Sequence, residues 1–365
     1  VKLGELTVRT SDAALALQGD GGEFPPGHNG PYGDPETPIR NTAHWAITLI
    51  KAFEITGDRR YRDAARRAIE FLLRSDARPM GATFVCRTNP DKDFCNGLIG
   101  QAWVIECLVA AARALDDDRC RSVARELFLL HPFIEERGLW RRVNVDGSLG
   151  GVDNTFNHQL WFAAAGARID PDPAGAISST VTGFLDRALA GTMRTHRSGR
   201  VRQAVGPDSW AAIAREWLRA ALSPASGRRI RAAMADREVG YHAFNLHGFA
   251  MLFRQIPGHP FWTSSGFARV LGFVRKPRFE SSLSNRFGGP YNPVGFETAY
   301  AVETFAGRAG LDAASAGTWI GRQLDRFYDG TTNLMTRNTS DPNTLAARFY
   351  EVTRLEDLEL EVGDR

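Results

Sequence analysis

The chain has 365 residues, 43% of them hydrophobic and 24% charged, a balance that excludes a disordered chain and fits a globular one. A formal net charge of +3, from 45 basic and 42 acidic residues, gives no electrostatic case for a nucleic-acid partner. Apolar stretches such as Leu108–Leu115 are broken by charge before the roughly 18 residues a membrane span requires. Cys86, Cys95, Cys107 and Cys120 form no CxxC pair, so reduced thiols in a cytoplasmic protein are expected, without a zinc site. Val1–Thr10 shows no basic segment followed by an apolar one, so no signal peptide is expected.

In chain order, Leu3–Leu17 reads as a first helix. Ala43–Thr56 is apolar at helical spacing and stops at Gly57-Asp58; Tyr61–Leu73 follows with one charged face. The unit recurs: apolar Gly97–Leu115, the turn Asp116–Asp118, amphipathic Arg119–Leu130; then Thr155–Ile169, Asp170–Pro173 and Ala174–Ala190. His242–Ile256 is followed by Phe261–Val274, and Phe296–Ala309 by Ala313–Tyr328; a last apolar helix spans Thr344–Leu355.

Helices apolar on all sides belong inside, and helices with one polar face belong outside. If the first helix pairs with the last, six pairs form an inner and an outer ring, an all-α (α/α)6 barrel. Residues 1–365 then make one domain. A long Gly/Pro/Asn-rich loop precedes most apolar helices, whereas the turns to the outer helices are short. The long loops therefore gather at one mouth, where function is expected. Thr192–Glu238 reads as a basic insertion with ten arginines against four acidic residues, including an amphipathic helix at Trp210–Leu222.

The starts of the inner helices carry the polar groups. Asp153, in VDNTFNHQLWF, puts a carboxylate at the mouth ahead of a very apolar helix, with Asn157 and His158 just after it. Asp153 is the first candidate for a general acid or base; a plain helix cap is the alternative. His158 and His242 are candidates for proton transfer, and Asp93 is a candidate second acid. Asn41, His44, Trp45, Asn96, Gln101, Asn157, Tyr291 and Glu297 are candidates for holding a substrate. Asparagine at such places is an ordinary cap, and buried aromatic residues are ordinary core. Asp116-Asp117-Asp118 sits in a short turn away from the mouth and reads as a cap. No HExxH, P-loop or GxSxG sequence occurs.

The helical hairpins, with VDNTFNHQLWFAAAG at the third inner helix, resemble the six-hairpin glycosidases, above all the unsaturated glucuronyl and rhamnogalacturonyl hydrolases. That resemblance implies a glycoside hydrolase for an acidic or unsaturated sugar, with Asp153 as general acid/base, Asn157 beside it, and no metal or cofactor. The family's other Asp, at the start of the preceding inner helix, has no clear match: Asn96 stands there, with Asp93 three residues earlier. The N-acylglucosamine 2-epimerases are similar in architecture and use paired histidines, a part that would fall to His158 and His242. A non-catalytic glycan-binding barrel is the third reading. The expected partner is a carbohydrate. Self-association into a homo-oligomer is left open by the sequence.

Overall fold

The structure, a computed structural model, describes residues 1–169, 175–206 and 224–360. Helix α1 (Leu3–Leu15) leads to two helical hairpins: α2 (Ile39–Thr56) with α3 (Arg59–Leu72), and α4 (Gly97–Ala114) with α5 (Asp118–Leu129). A three-stranded antiparallel sheet of β1 (Phe133–Ile134), β2 (Leu139–Val143) and β3 (Leu149–Val152) precedes α6 (Phe156–Gly166) and α7 (Ala176–Arg187). Helix α8 (Pro224–Gly240) runs into α9 (His242–Gln255), and α10 (Ser265–Gly272) follows. Helices α11 (Val294–Thr304) and α12 (Ala316–Phe327) form the next hairpin, and α13 (Pro342–Ala347) continues as a 3-10 helix, Arg348–Arg354.

Helices α2, α4, α6, α9 and α11 and the α13 segment pack each against the next, and the last returns to α2. Together they close an inner ring. The outer helices lie against their partners, and α1 packs on α2 and on the last segment. The fold is therefore the all-helical (α/α)6 six-hairpin toroid. Its seam is sealed by backbone bonds: the Leu3 N–H donates to the Leu358 carbonyl at 3.0 Å, and the Leu360 N–H to the Val1 carbonyl at 2.9 Å.

The inner helices are buried on nearly all sides, as their uniform apolarity requires. By length and apolarity α4 could cross a membrane, yet 83% of it is buried inside the protein, which makes it a core helix. The short turns are closed by caps. Asp58, Asp117 and Asp312 accept from the N–H groups of Arg60, Arg119 and Ala314, so the Asp116–Asp118 run does cap a helix.

The elements differ from the sequence reading in places where periodicity is weak. The last inner helix is α-helical only over Pro342–Ala347. The outer segment expected at Phe261–Val274 is broken into 3-10 and α pieces, Pro260–Thr263, Ser265–Gly272 and Phe273–Arg275, with a capping Ser264 restarting the helix. The third mouth loop folds as strands instead of remaining irregular. Trp210–Leu222 and the turn Asp170–Pro173 lie outside the described residues.

Candidate active site

The inner helices begin around a mouth cavity of about 160 Å³. Its walls include Asn96, Asn157, His158 and Tyr291 from the sequence-derived set, together with Trp103, Tyr241, Arg237 and Arg348.

His158 stands in the first turn of α6. Its Nδ1 lies 2.8 Å from Oδ2 of Asp153. An ionised carboxylate can only accept, so Nδ1 carries the proton and Nε2 is left as an acceptor on the cavity side. Asp153 is 5% exposed and sits behind the imidazole. Its Oδ2 also accepts from the Leu98 N–H (3.0 Å) and its Oδ1 from the Thr155 N–H (3.1 Å). Burial pushes this carboxyl up, but His158 and the two backbone N–H groups outweigh that and hold it below the usual carboxylate range. Leu98 lies in the first turn of α4, so a helix N-terminus adds to the stabilisation.

This reach depends on Gly97, whose φ is +58°. A Cβ there would stand 2.4 Å from Asp153 Oδ2. Only glycine allows both the left-handed turn and the close approach. Gln159 holds the other flank: Oε1 accepts from the Trp140 N–H, and Nε2 donates to the carbonyls of Trp140 and Asp153. Gln101 does the same for its loop, clamping Phe84 and Cys95. Gln101 is thus a loop clamp, with both ends of its amide taken up by backbone.

Several candidates stand elsewhere. His242 faces outward: Nε2 meets the Val270 carbonyl at 3.1 Å, and the ring packs edge-on against Phe273 and Phe279. The pair His158/His242 is therefore not formed across the cavity. Burial holds His242 neutral, its pKa lowered to about 3. Asp93 anchors the start of α4, accepting from the Gly97 N–H at 2.8 Å and pairing with Arg87 and Arg142. Trp45 is buried against Phe24, and Asn41 donates to the Pro25 carbonyl. His44 lies in the barrel interior, stacked on Tyr350 at 4.1 Å. Burial and then Arg40, Arg348 and Arg354 keep it neutral.

Glu297 is buried beneath the cavity wall. Arg348 donates to it at 3.0 Å, to Glu351 at 2.5 Å and to Asn292 at 2.5 Å. Two carboxylates share one guanidinium, which makes Glu297 part of a structural charge cluster. The acid that does line the cavity, Asp34, is taken up by Lys92 (2.7 Å), Arg87 (3.2 Å) and Asn89 (2.6 Å).

The insertion meets the mouth through Arg237, whose guanidinium carbon lies 5.8 Å from the centre of the Tyr32 ring. Arg200, by contrast, is buried in an ion pair with Glu238 at 3.0 Å, and Arg197 lines a separate surface pocket. Position in the sequence could not separate these arginines, because the insertion folds back on itself. Tyr32 and Asp34 also escaped the sequence-derived set, because they sit on the long stretch ahead of α2, outside any periodic apolar segment.

Among the described residues no group of three or more His, Cys, Asp or Glu could hold a metal ion. The four cysteines are buried and unbridged.

The architecture defines a six-hairpin toroid. At 96% coverage of this chain it is similar to the cellobiose 2-epimerase of Spirochaeta thermophila (TM-score 0.64, 15% identity, 95% of that chain). It is similar to D-mannose isomerase (0.62, 13%, 97%) and to an unsaturated glucuronyl hydrolase specific for heparin (0.62, 12%, 94%), again over 96% of this chain. Identities this low show the fold and do not choose among the activities. No protein-family model matches the chain. It is, however, 42% identical over 373 aligned residues to the archaeal glycosylation protein Q of Haloferax volcanii, covering 98% of each. The chain belongs to the family of that protein.

Proposed function

We propose that the protein is a sugar isomerase that moves a proton between C2 and C1 of an open-chain sugar, with His158 as the base. The observation that carries this reading is the Asp153–His158 pair at the cavity wall, with Nε2 unengaged among the described residues. Nε2 removes the proton from C2 of the open-chain sugar while the electron pair forms the enediol. The imidazolium, whose proton exchanges with solvent at the cavity mouth, delivers a proton to C1, and the C2 hydroxyl proton passes to O1. Tyr32 and Tyr241, whose hydroxyls are 2.9 Å apart, bring a proton-exchanging pair to the mouth. Trp103 and Tyr291 offer faces for the sugar ring or chain.

Two features favour isomerisation within the wider epimerase–isomerase class. Transfer on one face needs one base, and His158 is the one histidine lining the cavity among the described residues. Epimerisation by a histidine pair needs a second imidazole on the opposite face, and His242 points away. Hydrolysis by two carboxyl groups requires both to flank the scissile bond. Here Asp153 is occupied on both oxygens, Asp93 is bound up in ion pairs, and Glu297 is held by Arg348 beneath the cavity wall.

The test is solvent exchange. Free aldoses, ketoses and uronates are incubated with the protein in D₂O and followed by proton NMR. The expected result is deuterium at C2 with aldose–ketose interconversion, lost in His158→Ala. Release of sugar from an unsaturated uronide, with no exchange in any free sugar, would restore the hydrolase reading.

A further inference from the structure

We propose that Arg197, Arg269, Arg275 and Lys276 form a second binding site, on the outer wall of the ring, for a phosphate-bearing anion. The four side chains line one concave pocket of about 440 Å³ together with Ser198. They come from two separate segments. Arg197 and Ser198 sit in the turn of the insertion between the bridged residues Thr195 and Val201. Arg269 lies on α10, and Arg275 and Lys276 follow that helix.

The two segments are fixed against each other. Gly199 has φ +95°, and a Cβ there would lie 1.8 Å from the Arg269 carbonyl oxygen. Only glycine lets the turn seat on the helix this closely. From the other side, Glu238 holds the turn through Arg200 (3.0 Å) and His196 (2.8 Å). The four cations are thus brought together by a built contact and not by flexible ends alone.

None of the four is within ion-pair reach of a carboxylate among the described residues. The basic cavity at the far end of the barrel, about 310 Å³, is different. There Arg168 and Arg354 share Glu106, Arg254 pairs with Glu303, and Lys51 pairs with Glu54. The ends of the inner helices add further negative potential at that end. At the outer pocket the single C-terminus of α10 supplies only about half a negative charge. Four facing cations repel, and an anion relieves that repulsion. A phosphate group brings close to two negative charges and three strong acceptors, suited to guanidinium forks and to the Ser198 hydroxyl. A soluble phosphorylated compound and a lipid phosphate headgroup share this chemistry.

The experiment has two arms, calorimetric titration with inorganic pyrophosphate and co-sedimentation with phosphatidylcholine vesicles with or without phosphatidic acid. Binding is expected in at least one arm, weakened about tenfold or more in Arg269→Gln/Lys276→Gln and by added salt, with unfolding temperature unchanged. Pyrophosphate binding alone assigns a soluble ligand, and vesicle binding alone assigns a headgroup. Arg197→Gln, in the exposed turn, repeats the test if the double variant fails to fold. Absence of binding in both arms, or undiminished binding in the variants, overturns the proposal.

Discussion

The imidazole Nδ1 of His158 and the carboxylate Oδ2 of Asp153 are 2.8 Å apart, and this contact assigns the two residues different roles. Asp153 accepts three hydrogen bonds and is turned away from solvent. It sets the tautomer and orientation of the ring, while His158 meets the cavity. In the isomerase proposed above, the residue that the sequence marks as the acid is the positioning group, and its neighbour five positions on holds the reactive atom.

Replacing His158 by Gln should lower turnover by about 10²–10⁴ with the fold retained. Asp153→Asn should fall in the same range. Three donors converge on the carboxylate, and an amide must turn its NH₂ toward one of them, which favours the wrong tautomer of His158. Steady-state rates with thermal unfolding as control check both. Full activity in Asp153→Asn would contradict the role given to the pair.

Gly97→Ala should disturb the same pair while leaving both of its members unsubstituted. The backbone penalty at φ +58° is about 1 kcal/mol, and the methyl group would press on Asp153 Oδ2. Gly57 has φ +69° with no neighbouring atom within 4 Å, so Gly57→Ala carries the backbone penalty alone. Turnover of the folded protein should drop at least tenfold more in Gly97→Ala than in Gly57→Ala, and Gly97→Ala should also lose more stability because of the added clash. Equal rates in the two variants would disconnect the glycine from the site.

The ring could be read from the sequence because inner and outer helices differ in the one property that periodicity reports. Asp153, Asn157 and His158 could be read because polar residues abruptly precede an apolar run. The outward turn of His242 could not. It stands at a helix start in the same way as His158, and only the packing of Phe273 and Phe279 decides which side it faces. Nor could the part played by Gly97, which depends on a carboxylate 56 positions away meeting it in space. The strands of the third mouth loop are too short for an alternating pattern to register.

Arg237→Ala should raise KM for an anionic sugar several-fold and leave that of a neutral analogue nearly unchanged. Arg237 lines the cavity mouth and, among the described residues, has no carboxylate in ion-pair reach, and a guanidinium suits a carboxylate or phosphate. Parallel kinetics on a uronate and its neutral counterpart measure the difference. Equal changes for both would remove Arg237 from charge selection.

The Glu297–Arg348–Glu351 cluster makes stability depend on pH in a defined direction. Burial and then repulsion from Glu351 raise the Glu297 carboxyl well above its ordinary value of 4.5, and burial, opposed by Arg348, brings Glu351 to about 7. The folded cluster therefore keeps protons that the unfolded chain has released above about 4.5. Its contribution to stability is greatest at low pH and is lost as pH rises through about 7. Glu297→Gln removes one titrating group but keeps an acceptor for Arg348. The stability of Glu297→Gln relative to the parent should rise between pH 5 and pH 8, by at most about 1.4 kcal/mol per pH unit. Urea unfolding of both proteins at the two pH values measures this, and a constant difference would refute it.

The pairing of Val1 with Leu360 and of Leu3 with Leu358 places the first and last described residues side by side. The order in which the hairpins are synthesised is then separable from the order in which they sit. Joining these ends by a short linker and opening the chain at the Gly57–Asp58 turn would leave every neighbour around the ring in place, with the new ends on the face opposite the mouth. Such a permuted chain should fold to the same toroid and keep its cavity, because the ring has no privileged first member.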